Sequence, residues 1–155
     1  MGPGLVVKAC MQSAFSLMVF GWSQILIDLQ PLTVMITGKG ELHGFSHTYI
    51  GASIIAVIAA LSGKSLGEFG LKLIRESKYL PISWSVAFVS AFIGTYSHVM
   101  IDSIMHIDVA PLAPLSQSSW LYGLISIDAL HIICVVSAVV GAAAFYLLER
   151  LRSRR

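Results

Sequence analysis

The chain has 155 residues, of which 56% are apolar and 12% charged, and its formal net charge is +2. Soluble domains carry about twice that share of charge, and a soluble fold of this size cannot hide so much apolar surface. A disordered chain, a nucleic-acid-binding arm and an ordinary water-soluble globule are therefore excluded, and a small integral membrane protein with a single domain, residues 1–155, is expected.

Four apolar segments are long enough to span a bilayer, or nearly so. The first runs from Gly4 to Ile27, 24 residues with Lys8 as its only charge. It is too long for a signal-peptide core and lacks a small-residue cleavage site, so it reads as a retained span. The next stretch, Asp28 to Glu41, contains Pro31, Gly38 and Gly40 and reads as a loop or partly re-entrant segment. The second span, Phe45 to Leu61, has 17 residues, near the lower limit for crossing. From Gly63 to Pro81 the chain is polar with helical periodicity, and Glu68 and Lys72 form a favourable i,i+4 pair. A short interfacial helix is expected there. The third span, Ile82 to Ile101, has 20 residues, and the fourth, Trp120 to Leu148, has 29. Length favours helix over strand for all four. The expected fold is an all-α integral membrane protein: four transmembrane helices in one bundle, with the interfacial helix between the second and third.

Cys10 and Cys134 lie inside apolar runs and form neither a disulfide framework nor a CxxC metal site. Lys and Arg are strongly one-sided. Lys8, Lys64, Lys72, Arg75, Lys78, Arg150, Arg152, Arg154 and Arg155 fall on one side of the expected topology, and Lys39 alone on the other. The positive-inside rule then places both termini in the cytoplasm.

On this topology the histidines and aspartates gather toward the outer side. Asp28 ends the first span, His43 and His47 open the second, His98, Asp102, His106 and Asp108 end the third, and Asp128 and His131 sit early in the fourth. Ionisable groups in a membrane are costly and tend to face the bundle interior. His98 and Asp102 are one helical turn apart and point the same way, a spacing that suits one metal ion. His43 and His47 share that spacing, although Gly44 and a helix cap at Ser46 argue against helix at His43. Asp128 needs a partner, and His131 is the nearest in sequence.

The runs ILIDLQP, HGFSHTYIGA and GTYSHVMIDSIMHIDVAPLAPL resemble the YdjM-like inner-membrane metal-dependent hydrolases of bacteria and archaea. Those proteins carry an aspartate-rich turn after helix 1, a Gly-x-Thr-His-Ser type stretch opening helix 2, and Ser-His-x-x-x-Asp ending helix 3 before a Pro-rich segment. The resemblance implies metal-ligand roles for Asp28, His47, His98 and Asp102. The chain departs from the family at Asp28-Leu29-Gln30, where an Asp-x-Asp is usual. It also departs at Leu42-His43-Gly44, where the histidine sits one position late.

The function expected from these features is metal-dependent hydrolysis of an ester or phosphoester lipid at the extracytoplasmic face of the inner (plasma) membrane. Zinc is the first candidate ion, with manganese or iron next, and Glu41, His43 and His106 are the candidates for moving protons. The alternatives are a non-enzymatic protein that conducts metal ions or protons, or a subunit of a larger membrane assembly. Membrane lipid is the expected environment, nucleic acid is not an expected partner, and oligomers are compatible with the pattern.

Overall fold

A computed structural model of the chain describes residues 2–154. Met1 and Arg155, the last of the C-terminal arginines counted above, lie outside the described residues. The elements in order are α1 (Gly2–Met11), α2 (Leu17–Ile27), α3 (Leu29–Thr37), α4 (Tyr49–Leu73), α5 (Trp84–Met105) and α6 (Ile127–Arg152), with short 3₁₀ turns at Gln12–Ala14, Phe45–His47 and Ser77–Tyr79. No strand occurs among the described residues. Four segments are long and apolar enough to cross a membrane: Leu17–Thr37, which joins α2 and α3, then α4, α5 and α6. All four start on a Ser or Thr whose hydroxyl accepts a backbone N–H: Ser16 from Val19, Thr48 from Gly51, Ser83 from Val86 and Ser126 from Ala129. These caps satisfy donors that would otherwise be orphaned at each helix start.

The first span differs from its sequence-based outline. The helix breaks at Gln12, whose φ is 51°, and α2 begins only at Leu17. Two contacts from elsewhere make the break tolerable. Lys8 Nζ donates to the carbonyls of Gln12 (2.8 Å) and Phe15 (2.7 Å), and Ser16 N donates to Ser90 Oγ at 2.8 Å. Lys8 is 6% exposed and lies over Tyr79, so it stays with the basic cluster but caps the break from a buried position. α1 packs on α6 and runs in the same direction: Gly2 lies against Cys134, Gly141 against Leu5 and Val6, and Lys8 near Phe145. Residues 2–11 thus lie alongside α6 and are not continuous with α2. A Cβ at Gly141 would overlap the α1 backbone, so this close approach depends on glycine.

Three further outlines change. Residues 29–37, expected as loop, form α3. Pro31 is compatible because it lies in the first turn, where its missing N–H is among those without an intrahelical partner. The expected interfacial helix is not separate: α4 continues through Lys64 and Glu68, which pair at 2.5 Å, and ends beside Arg75 (φ 61°). Glu68 also accepts the N–H of Ile82 at 3.0 Å, which ties the following loop back to the helix. The fourth helix starts seven residues later than outlined, because Gly123 at φ 75° and the Ser126 cap keep Trp120 to Ser126 out of it.

The core lies between α2, α4 and α5. Val19, Ala56, Ala59, Ala60, Ala87 and Ala91 are fully buried there, with Leu71 and Ile82. Small residues let the backbones approach, which is the main source of helix affinity where the solvent is itself apolar. At one end of the bundle Lys78 meets Glu149 (2.9 Å), Tyr79 meets Glu149 (2.6 Å), and Arg152 meets Gln12 (3.3 Å). The opposite end carries Asp28, His47, His98 and Asp102. Ser90→Ala should leave the Ser16 N–H unpaired and cost about 1–3 kcal/mol of stability in a denaturant titration in mixed micelles, whereas Ser65→Ala, at an exposed position, should stay within about 0.5 kcal/mol of wild type.

Candidate metal centre

Four groups from three parts of the chain converge at the end away from the basic cluster. Asp28 sits at the joint between α2 and α3. His47 ends the 3₁₀ turn before α4 and is 1% exposed. His98 and Asp102 occupy successive turns near the end of α5. His98 Nε2 lies 3.1 Å from Asp102 Oδ2 and 3.1 Å from Asp28 Oδ1. His47 Nε2 lies 3.2 Å from Asp102 Oδ2 and 3.9 Å from Asp28 Oδ1. These four residues form a group that can hold a metal ion.

The hydrogen bonds behind the two imidazoles indicate what the centre requires. Gln24 Nε2 donates to the carbonyl of Gly94 at 2.7 Å, which turns its oxygen toward His98 Nδ1, 3.1 Å away. His98 Nδ1 is therefore the N–H that donates, and in the neutral ring Nε2 presents a lone pair to two carboxylates. His47 Nδ1 is bound to Ser46 Oγ at 2.9 Å, and its buried Nε2 has no hydrogen-bond partner. Protons on the two Nε2 atoms would pair them with the carboxylates they face, His98 with Asp28 and Asp102 and His47 with Asp102 at 3.2 Å. A divalent cation would balance both carboxylates and engage both nitrogens. Ligand bonds of about 2.0–2.2 Å in a tetrahedral site place donor atoms roughly 3.3–3.6 Å apart, and the separations here bracket that value. Tying back the remote nitrogen of each histidine is the usual way a protein orients metal ligands. The residues fit a metal ion.

A second group lies alongside. His43 Nδ1 donates to Asp108 Oδ2 at 2.9 Å. The His43 ring stacks on His106 with centroids 4.4 Å apart and meets His47 edge-on at 4.9 Å. His106 lies just past α5, its N–H bonded to the Asp102 carbonyl at 2.8 Å, so it reaches His43 from a loop rather than by continuing the helix. Partial burial raises the Asp108 carboxyl, but the His43 hydrogen bond and charge outweigh it and hold the carboxyl below the usual carboxylate range. A depressed carboxyl stabilises the fold above its unfolded pKa, and that contribution is lost as pH falls through the lower folded value.

Other expected members stand apart. Glu41 is exposed, and its backbone carbonyl, rather than its carboxylate, is engaged, accepting Gln30 Nε2 at 3.1 Å. Asp128 and His131 are both exposed on α6 and belong to neither group. With α6 beginning at Ile127, Asp128 lies in the first turn, where the helix dipole favours a carboxylate. Ser46 does not cap the helix; Thr48 does, which frees Ser46 to hold His47.

Sequence reasoning missed Gln24 and the part played by Gln30. Gln30 Oε1 accepts the N–H of Ser46 at 2.9 Å and so fixes the turn that carries His47. Gly44 lies against the Gln30 amide, and a side chain there would push on that amide. The signal for Gln24 was present: a polar residue in an apolar helix, one turn before Asp28 and on the same face.

Comparison with protein-family models, curated proteins and solved structures finds no match for this chain. The fold and site define a helical protein with four membrane-compatible segments and a His–Asp group able to hold a metal ion. Gln24→Leu should weaken zinc binding about 10–100-fold in a chelator-competition titration, with helix content by circular dichroism unchanged. Zinc occupancy of the wild type should fall as the solution is acidified, because protons compete with the ion for the imidazoles and carboxylates.

Proposed function

We propose that this chain is a membrane-embedded, metal-dependent hydrolase of the inner (plasma) membrane, acting on an ester or phosphoester lipid at the extracytoplasmic face. The observation that carries the reading is the unpartnered, buried Nε2 of His47, aimed at the same space as His98 Nε2 and the Asp28 and Asp102 carboxylates. The resemblance of the Asp28, Ser46-His47 and Ser97-His98 to Asp102 segments to YdjM-like hydrolases supports it. The orientation rests on the basic end, with Lys78 and the α6 arginines, facing the cytoplasm.

His47, His98, Asp102 and Asp28 would hold the ion, and a donor set of imidazole and carboxylate suits zinc first, then manganese or iron. The chemistry such an ion supplies is Lewis acidity, which polarises an ester or phosphoester oxygen and acidifies water toward neutral pH. His43 and His106 stand beside that space with their rings stacked. Asp108 fixes the His43 ring by accepting from Nδ1, which leaves Nε2 to take or give a proton. Glu41, on the surface of the same turn, is placed to exchange protons with water. The polar groups gather at one end, and α2, α4 and α5 close on alanine below them. That arrangement favours a one-sided reaction site over an ion path through the bundle.

Elemental analysis of protein purified in mild detergent without a metal-affinity step should find one or two zinc, manganese or iron ions per chain, in the ratio expected of a site with His and Asp ligands. His98→Ala and Asp102→Ala should lose the metal and at least about a hundredfold of turnover on lipid esters or phosphoesters. A folded wild type that stays metal-free after dialysis against each ion would remove the hydrolase reading and leave the non-enzymatic one.

A further inference from the structure

Asp28 differs from the other three ligand residues in its surroundings. His47 is fully buried and the Asp102 side chain is 18% exposed, but the Asp28 side chain is 53% exposed. Beside it is a concavity of about 360 Å³ at the α2–α3 joint, lined by Ile25, Leu29, Pro31, Leu32 and Met35 together with Asp28 itself. It is an open depression on the surface rather than an enclosed cavity. Apart from the carboxylate the lining is apolar. α3 carries the wall onward past the site, with Met35 and Ile36 exposed on it.

A carboxylate at the head of an apolar trough is a poor match for a water-soluble substrate and a good one for an amphiphile. Resting on the hydrolase reading above, we infer that the α2–α3 trough holds an acyl chain of a lipid ester or phosphoester that enters sideways from the bilayer. Its polar head then lies at Asp28 and its chain runs along Leu29, Leu32 and Met35. Continuity with the metal centre argues for this occupant, because Asp28 borders the trough and its Oδ1 lies 3.1 Å from His98 Nε2. α6 offers a contrast: Val135, Val136, Val139 and Val140 are also exposed, but no member of either His–Asp group borders them. They present an ordinary lipid-facing surface.

The full chain, loaded with zinc, is reconstituted in phosphatidylcholine vesicles containing a trace of phosphatidylcholine with a photoactivatable diazirine on one acyl chain. After illumination, adducts are mapped by mass spectrometry. Adducts per exposed residue should be about tenfold more frequent on residues 25–35 than on residues 132–140 of α6, equivalent to about 1.4 kcal/mol of preference. Leu32→Trp and Met35→Trp, both at exposed positions, should bring the ratio to about one while zinc content stays unchanged. They should also slow turnover of long-chain lipids and spare that of p-nitrophenyl acetate. Equal labelling of the α3 and α6 faces in the wild type would overturn the inference whatever the turnover. Enriched labelling in a zinc-loaded protein that hydrolyses no lipid would uphold the trough and remove the hydrolase reading.

Discussion

A donor or acceptor buried between apolar helices has no water to turn to and must find its partner within the protein. That constraint organises this chain from end to end. The break after α1 survives because Lys8 and Ser90 reach the carbonyls and N–H that it frees. Trp22 Nε1 finds Ser62 Oγ at 2.9 Å, and Gln24 finds Gly94 and His98. Among the described residues, His47 Nε2 is the buried side-chain nitrogen without a hydrogen-bond partner, and it faces two carboxylates and another imidazole. It is one of the four ligand atoms whose grouping could hold a metal ion.

The groups that hold the centre belong to the scaffold. Gln24 is on α2, hydrogen-bonded to the α5 backbone, and so joins the two helices that carry Asp28 and His98. Gln30, on α3, holds the turn from which His47 projects. Tyr49 N donates to the Pro111 carbonyl at 2.9 Å, anchoring the loop that carries Asp108 to the start of α4. Alanine packing between α4 and α5 brings these supports within reach of one another. The trough beside Asp28 opens onto an apolar surface formed mostly by α3.

Much of this was legible in the sequence. Low charge and long apolar runs set the class and the number of spans. The spacing of His98 and Asp102 marked two residues, the family resemblance added Asp28 and His47, and the fold brings these four together. His43 and His106 were marked as well, and Asp108 joins them from the loop. Other readings were beyond periodicity. Apolar composition alone does not distinguish a 24-residue span from a half-helix, a break and a shorter span, because the break is paid for by Ser90, 74 residues away from Ser16. Glycine at 63, 67 and 70 looks like the end of a helix but serves close packing inside α4. Asp128 looked buried only because the start of the fourth helix was placed too early.

The sequence by itself determined the medium and the ingredients: a helical membrane-compatible chain with its basic residues at one end and its imidazoles and carboxylates mostly at the other. Local chemistry suffices for that, since hydropathy, helix spacing and charge placement are properties of neighbouring residues. Only the tertiary structure decided which histidine nitrogen faces the centre, which polar residue holds it there, and that Asp28 opens onto an apolar trough. Those are relations between α2, α3, α4 and α5, separated by up to 74 residues for Gln24 and His98. They are set by how closely small side chains let the helices approach, which no single segment encodes.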